Sequence, residues 1–298
     1  MSDNSQAMHR NHGWGSGYVE WTEGKTAYIS VVFSWLLSKA IERSVFLWSQ
    51  GYTVRLGGVA ASYAGLASNN GCSVDAAPRH NPNATRTSTG CVFSCDFCIV
   101  PKIEGGLKEK EHWKPLPILY DNNLVACSRR HFDRVIDSLK PVPGVDINQG
   151  LSASLITDYH ASRLAELDLK FVRLAWDSVG YEPHFMRGFE KLRRAGIPKS
   201  KIGVYVLIGF RDTPEDALYR LESVRKLGIK PFPMRYQPLG TEKRNSFVGD
   251  NWTNLELERF THYWANLRFV GNIPFSEFRY PVPRELRERR RQKREAGR

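Results

Sequence analysis

The chain has 298 residues, of which 41% are hydrophobic and 12% aromatic, and its formal net charge is +12 at pH 7. This composition can bury a sizeable core and therefore excludes a globally disordered protein. No stretch approaches the roughly eighteen apolar residues of a membrane span, and the N-terminus has no apolar signal segment. We expect a cytoplasmic protein with no membrane partner. Its positive charge favours a polyanionic partner such as nucleic acid, and the alternative is a basic protein without one.

The first part of the chain divides into a polar segment and a small extension. Residues 1–25 are polar and without period, which predicts a flexible N-terminus. Residues 26–84 are predicted to form a βαβ extension followed by a linker or surface loop at 66–88, which is rich in Gly, Asn, Ala and Pro. The strand, helix and second strand are predicted at 27–35, 36–51 and 52–58. This order within about thirty residues predicts a parallel strand pair.

Strand and helix patterns then alternate along the chain. Besides a strand just before Cys91, strand-like runs lie at 116–122, 144–150, 171–177, 201–210 and 231–239. Helical patterns lie at 128–140, 157–168, 181–196, 213–228 and 253–270. Regular alternation predicts an α/β fold with a parallel sheet. About six units are too few for a closed eight-stranded barrel and leave an open or partial barrel or a doubly wound sheet, with ligands at the C-terminal ends of the strands.

Three of the five cysteines lie in the short segment TGCVFSCDFC, namely Cys91, Cys95 and Cys98. An odd number of cysteines in a reducing cytosol argues against a disulfide framework and favours metal binding. Thiolates suit zinc, copper(I) and iron–sulfur clusters. A structural zinc site would need a fourth ligand, for which Cys72, Cys127 or His131 is a candidate. An iron–sulfur cube held by three thiolates would instead leave one iron open.

The segment GCVFSCDFC resembles the CxxxCxΦC signature of the radical SAM superfamily, with Phe97 as the aromatic residue and a further cofactor-binding candidate. The resemblance covers residues 85–240 and implies a partial (β/α)6 barrel. It implies that the three cysteines bind a [4Fe–4S] cluster whose open iron binds S-adenosylmethionine (SAM). Reductive cleavage of SAM would give a 5′-deoxyadenosyl radical that abstracts a substrate hydrogen. The resemblance also implies an electron donor such as flavodoxin or ferredoxin.

The same resemblance assigns further residues by their place on the strands. Asp121, Asn122 and Asn123 follow the second strand, where the family contacts the SAM amino group, although they depart from the usual Gly-Gly-Glu. The alternative for these residues is an Asx-rich turn. Arg173 is a cofactor-binding candidate in the barrel lumen, with a structural ion pair as the alternative. Substrate-side candidates are Gln149, Asp177, Arg235 and Tyr236.

The residues after the predicted barrel are expected to determine the substrate. Residues 241–283 are dense in aromatic and basic residues, which could stack on a nucleotide or could belong to a helix packed on the sheet. Residues 284–298 form a basic tail, interpreted either as a phosphate-binding arm or as a solvated helix end. The region contains no cysteine for an auxiliary cluster.

The compact, basic chain as a whole resembles radical SAM proteins of bacteriophages that act in thymidine hypermodification. This resemblance implies an amino-acid-modified thymine in phage DNA as substrate, with N-linked glycine isomerised to C-linked glycine in the host cytoplasm. DNA is thereby favoured over tRNA. One alternative is a radical SAM enzyme that acts on a tRNA base or a small molecule. Another is a non-catalytic, zinc-stabilised nucleic-acid-binding protein.

Overall fold

The computed structural model describes residues 14–67 and 76–280, which form an α/β protein with a six-stranded parallel sheet and helices. The strands are β1 (Tyr18–Glu23), β2 (Thr26–Val31), β3 (Thr53–Gly57), β4 (Ala84–Thr85), β5 (Ser88–Thr89), β6 (Lys108–Glu109), β7 (Ile118–Leu119), β8 (Val145–Ser152), β9 (Leu169–Ala175), β10 (Ile202–Ile208) and β11 (Lys230–Arg235). The helices are α1 (Leu37–Ser49), α2 (Val59–Tyr63), α3 (Ala77–His80), α4 (Val100–Ile103), α5 (Arg129–Leu139), α6 (Asp158–Ala165), α7 (Glu182–Arg194), α8 (Pro214–Lys226), α9 (Asn254–Ala265) and α10 (Leu267–Val270).

The N-terminal unit is a three-stranded sheet with its own small core. β2 and β3 are parallel and are joined through α1, which confirms the predicted βαβ arrangement. The expectation of a flexible segment is wrong for residues 18–23, because β1 pairs antiparallel with β2. Trp21 and Tyr28 are opposite one another in this pair and stack at a centroid distance of 5.0 Å. Such a cross-strand aromatic pair stabilises the pairing of the two strands.

The strands of the main sheet lie side by side in the order of the chain, so the sheet is wound in one direction. Its strand order is β4-β7-β8-β9-β10-β11, which is the order of the strands in the chain, and each neighbouring pair is parallel. A doubly wound sheet reverses its strand order at a switch point. No reversal occurs within the described ranges, so the doubly wound alternative is wrong. All six strands therefore present their carboxyl ends at one edge.

The strand predicted just before Cys91 is β5, which pairs antiparallel with β6 outside this sheet, so that β4 is the first strand of the sheet; the second strand, β7, is much shorter than predicted. The run at 116–122 contributes only two paired residues, because Pro115 and Pro117 precede them and proline cannot donate to a ladder. The predicted loop at 66–88 also needs correction, since its later residues form α3, β4 and β5 and bury Thr85 and Thr87. Residues 68–75 lie outside the described residues.

The helices α5 to α8 begin and end inside their predicted ranges. Thr213 begins α8 with a capping box: its hydroxyl accepts from the Asp216 amide at 3.2 Å, and the Asp216 carboxylate accepts from the Thr213 amide at 3.2 Å. These helices pack on one face of the sheet, where Val204, Val206 and Ile208 of β10 are fully buried. Burial of this apolar face is the main stabilisation of the fold.

The C-terminal aromatic residues belong mostly to the core. The predicted helix at 253–270 is interrupted at Asn266, which separates α9 from α10. The packed-helix interpretation is supported by six buried aromatic residues, namely Trp252, Phe260, Tyr263, Trp264, Phe275 and Phe278. The basic tail at 284–298 lies outside the described residues. In the part of the chain that is described, no helix has the length and apolar character to cross a bilayer.

Candidate functional site

The three cysteines of the motif lie on one loop between β5 and α4, which we call the cysteine loop (residues 90–98). The Cys98 amide donates a hydrogen bond to the Cys95 carbonyl at 2.9 Å, which turns the chain between these two residues. Cys95 is exposed, whereas Cys91 and Cys98 are half-buried, and none is disulfide-bonded to a described cysteine. The loop therefore offers three thiols over one tight turn.

A half-buried polar network anchors the start of the cysteine loop. The Glu104 carboxylate accepts hydrogen bonds from the Gly90 amide at 2.7 Å and the Asn122 side chain at 2.8 Å, and it pairs with Arg86. The Asn122 amide group also donates to the Gly90 carbonyl at 2.9 Å. Asn122 was predicted to contact a cofactor, yet its amide nitrogen binds the backbone of the loop. This network fixes the backbone at Gly90, directly before Cys91.

Gly90 has a backbone conformation that other residues rarely adopt, and we expect Gly90→Ala to destabilise the fold. Its φ is +70°, and a Cβ atom would lie 2.1 Å from the Gly106 carbonyl oxygen. We expect a loss of about 2 kcal/mol or more in the free energy of unfolding, measured by chemical denaturation. Gly51→Ala is the matched control, because Gly51 has φ +85° but open space around it. Equal losses in the two variants would contradict the role given to the close approach.

The cysteine loop packs against the segment that follows β10. The Phe97 ring meets the Phe210 ring edge to face, with centroids 5.9 Å apart. Asp96 and Arg211 form an ion pair beside these rings, and both side chains are largely exposed. An exposed pair of this kind contributes about 0–1 kcal/mol, so the aromatic contact contributes more to this packing. Phe97 thus places the cysteine loop next to the carboxyl end of the sheet.

A cavity of about 350 Å³ opens between the cysteine loop and the carboxyl ends of β9 and β10. Its lining residues are Cys95, Asp96, Phe97, Asp177, Ser178, Val179, Leu207, Phe210, Arg211, Asp212 and Asp216. The volume is in the range of pockets for small ligands. Cys95, a predicted metal ligand, and Asp177, a predicted substrate-side residue, thus line the same cavity. It lies at the edge of the sheet that the alternating pattern predicted.

Burial is the main influence on the ionisable groups around this cavity. Loss of hydration, together with the other two thiols and Asp177, raises the pKa of the Cys95 thiol. Loss of hydration, together with Cys91 and Asp177, also raises the pKa of Cys98. Burial raises the pKa of Asp177 to about 6, against the opposing charge of Arg220. A positively charged group in the cavity would favour the ionised form of all three groups.

Asp121 and Asn123 are buried and hold the backbone. The Asp121 carboxylate accepts from the Thr87 amide at 2.6 Å, the Ser88 amide at 3.0 Å and the Thr87 hydroxyl. The Asn123 side-chain oxygen accepts from the Ser152 amide at 3.3 Å. Neither residue is among those that line the cavity. These contacts reach residues distant in sequence, so they are structural contacts of a different kind from the local bonds of an Asx-rich turn.

Arg173 forms an ion pair in the interior of the sheet. It pairs with Asp146 of β8, and the two side chains are 1% and 2% exposed. Its guanidinium also donates to the Ile147 carbonyl at 3.1 Å and lies 4.7 Å from the centroid of the Phe171 ring. These contacts agree with the alternative that Arg173 belongs to a structural ion pair. Arg173 is not among the residues that line the cavity.

The remaining substrate-side candidates do not line the cavity. Gln149 is exposed in an irregular part of β8. Tyr236 is half-buried, and its ring packs on Phe210 at 4.7 Å. Arg235 holds the loop after β11 by donating to the carbonyls of Asn245 and Phe247 and to the side chain of Asn254. Arg235 therefore orders the loop between β11 and α9.

Cys127 and His131 lie in a separate buried region. His131 Nε2 lies 3.1 Å from the Thr87 hydroxyl, and burial lowers the pKa of His131. Burial also raises the pKa of Cys127 to about 12. In the metal-free protein this thiol is therefore protonated at neutral pH, whereas a metal ligand must be a thiolate.

Arg220 is a site residue that sequence reasoning missed. It is fully buried and donates to the carbonyls of Trp176 at 3.0 Å and Leu207 at 2.8 Å. A signal for it exists in α8, where Ala217, Leu221 and Val224 mark the buried stripe. By helical spacing, Arg220 belongs to this buried stripe. A buried guanidinium needs hydrogen-bond or ionic partners, so this position indicates a role inside the protein.

An iron–sulfur cluster needs soft thiolate donors. Three soft thiols lie on one loop, close enough to affect one another's ionisation, and a cavity adjoins Cys95. Among described residues, no three His, Cys, Asp or Glu side chains are grouped as a site for a single metal ion. In a cluster each thiolate binds a different iron, so the sulfurs need not converge on one point. The donor set fits the group.

No protein family model matches the chain, and no curated protein sequence matches it either. The assignment of a function therefore depends on the spacing of the cysteines and on the geometry around them.

Proposed function

We propose that the chain is a radical SAM enzyme whose core, residues 85–240, is a partial (β/α)6 barrel. The observation that carries this proposal is the position of the cysteine loop. The loop carries the C-x3-C-x2-C thiols, and one of them, that of Cys95, lines a cavity at the carboxyl edge of a parallel sheet that is wound in one direction. Ligands of parallel α/β proteins bind at this edge.

Cys91, Cys95 and Cys98 would hold a [4Fe–4S] cluster in this proposal. When bound together with SAM, such a cluster would supply the one electron needed to cleave SAM into methionine and a 5′-deoxyadenosyl radical able to abstract hydrogen. The chain's own residues keep the loop in place. The Arg86, Glu104 and Asn122 network fixes its start, and the Phe97 ring fixes its end against Phe210.

The residues of the cavity have separate roles in this proposal. Phe97, Val179, Leu207 and Phe210 supply apolar walls that exclude water from a reactive species. Asp177 places a carboxyl group in the cavity, where it favours a positively charged ligand. SAM carries a positive sulfonium and a nucleoside of suitable size, so it suits both the walls and the charge.

The composition of the anaerobically purified and reconstituted protein tests the cofactor assignment. We expect a brown protein with about four irons and four sulfides per chain, because three thiolates hold one cube. The measurement is iron and sulfide content together with the visible absorption spectrum. A colourless protein with one tightly bound zinc would contradict the proposal and would favour the nucleic-acid-binding alternative.

For the substrate, we propose an amino-acid-modified thymine in DNA. The net charge of +12 supports a polyanionic substrate. Loss of a hydrogen atom from the α-carbon of an N-linked glycine gives a stabilised radical. Migration of the thymine methylene from nitrogen to that carbon, followed by return of a hydrogen atom, gives an isomer with no atom gained or lost. An electron donor such as flavodoxin or ferredoxin completes the proposal.

DNA binding by the full chain should weaken steeply with salt. Neutralised phosphates release counterions, so we expect a linear fall of log K with log salt, with a slope of about −0.9 per phosphate contact. The measurement is fluorescence anisotropy with duplex DNA at salt concentrations from about 50 mM to about 300 mM.

Glycyl-modified DNA should also stimulate 5′-deoxyadenosine formation more than unmodified DNA and tRNA do. Stimulation by tRNA alone would contradict the DNA assignment and leave the radical SAM assignment intact.

A further inference from the structure

A fully buried arginine lies beneath the cavity and joins the chain segments that form it. The Arg220 guanidinium donates to the Trp176 carbonyl at the end of β9 and to the Leu207 carbonyl near the end of β10. It also pairs with Asp212 in the turn between β10 and α8. Its side chain is 0% exposed, and that of Asp212 is 10% exposed. One planar group thus joins the end of β9 to the end of β10 and to the turn that follows β10.

Each of these contacts adjoins the lining of the cavity. Trp176 directly precedes Asp177, and Leu207 and Asp212 are themselves lining residues. Asp212 extends the arrangement, because its carboxylate also accepts from the Gly209 amide at 2.9 Å and the Trp252 indole at 3.1 Å. A shift of the guanidinium would therefore move the floor of the cavity and its neighbouring turn together.

Arg220 also balances the acidic character of this floor. Asp212 needs a buried cation, since an unpaired buried carboxylate is strongly disfavoured. Arg220 further interacts electrostatically with Asp177 and Asp216, both of which line the cavity. Only a planar group with several donors can reach two carbonyls and a carboxylate at once, so lysine cannot make the same contacts.

We propose that Arg220 is a positioning residue that sets the spacing and charge of the cavity floor and thereby the affinity for the ligand beside the cysteine loop. This inference rests on the proposed function in that the ligand used to test it is SAM. A residue with only a structural role would change the stability of the protein without changing the affinity of the folded, cluster-loaded protein for SAM.

The test compares Arg220→Lys with Arg163→Gln in the reconstituted full chain. Arg163 pairs with Asp133, Asp137 and Glu166 on the helices α5 and α6 and their ends, and none of these residues lines the cavity. The readouts are iron content, thermal midpoint and the Kd for SAM per cluster, measured by calorimetry. We expect Arg220→Lys to keep its iron but raise the Kd at least about tenfold, since small misplacements at a site have large effects. Arg163→Gln should lower the midpoint and leave the Kd unchanged.

A Kd for Arg220→Lys within about twofold of wild type would overturn the inference while leaving the proposed function standing. Wild-type protein that carries a cluster but binds no SAM would overturn both. If Arg220→Lys does not fold, the double variant Arg220→Gln, Asp212→Asn carries the same comparison, because it leaves neither charge buried without its partner.

Discussion

Replacement of Cys95 by alanine is expected to remove the bound cluster and, with it, SAM cleavage. Cys95 is the exposed member of the three cysteines and the one that lines the cavity. A cluster with two protein thiolates lacks a third anchor, and even changes outside the ligand set of metal sites lower affinity or activity about 10–100-fold. We therefore expect a loss of at least about 100-fold in 5′-deoxyadenosine formation and a matching loss of iron.

Cys127→Ala is the control for this experiment. Cys127 is a buried thiol outside the cysteine loop, and the pKa of about 12 keeps it protonated. We expect this variant to retain iron and SAM cleavage. Iron retained by Cys95→Ala, or lost equally in both variants, would contradict the assignment of the cluster to the cysteine loop.

Asp177→Asn is expected to weaken SAM binding while it stabilises the ligand-free protein at neutral pH. Burial raises the pKa of Asp177 to about 6 from an ordinary 3.8, so folding favours its neutral form. The stability that this shift contributes is present below pH 3.8 and is lost as the pH rises through 6. This difference corresponds to about 3 kcal/mol at most. Asparagine cannot ionise, so it removes the free-energy cost of a buried carboxylate. We therefore expect the free energy of unfolding to increase by about 1–3 kcal/mol at pH 7.5 and to stay unchanged at pH 4.

The same carboxyl group should make SAM binding depend on pH. Ionised Asp177 attracts a positive ligand, so the wild-type Kd should fall as the pH rises from about 5 to 7.5. Asp177→Asn should have a pH-independent Kd that is about 10–100-fold higher at pH 7.5, the expected effect of one charge-assisted hydrogen bond. Calorimetric titration with SAM and urea denaturation measure the two effects. Asp158→Asn, a change at an exposed carboxylate on α6, is the control.

An Asp177→Asn variant with unchanged Kd would contradict the role of Asp177 in ligand binding. A variant that is destabilised at pH 7.5 would contradict the view that its buried charge is a cost to folding.

The positions of the helices and of the longer strands could be predicted because each leaves a local pattern. β10 lies within the apolar run predicted at 201–210, and α8 lies within the helical pattern predicted at 213–228. β1 was missed because it lies in a largely polar N-terminal segment and its stability comes from pairing with β2, which is a tertiary effect. The strand order of the sheet also depends on tertiary pairing. The alternation of strands and helices therefore fitted both a partial barrel and a doubly wound sheet.

The polar residues of the site were harder to predict for a related reason. A motif places Asp121 or Arg173 at the end or on the face of a strand, but it does not tell whether protein groups already satisfy the side chain. In the folded chain, Asp121 binds the backbone before the cysteine loop and Arg173 pairs with Asp146. Asp177 lacks such a close cationic partner among the described ion pairs and faces the cavity instead. Partners distant in sequence decide between a binding role and a structural one.

The most direct test of the radical SAM assignment is the product of SAM in the reduced protein. Reconstituted wild-type protein is incubated anaerobically with dithionite and SAM, and 5′-deoxyadenosine is quantified against the Cys95→Ala variant. We predict that wild type forms 5′-deoxyadenosine and methionine in equal amounts and that the variant forms neither above background. Wild-type protein that binds iron but leaves SAM intact under these conditions, with and without DNA, would contradict the assignment.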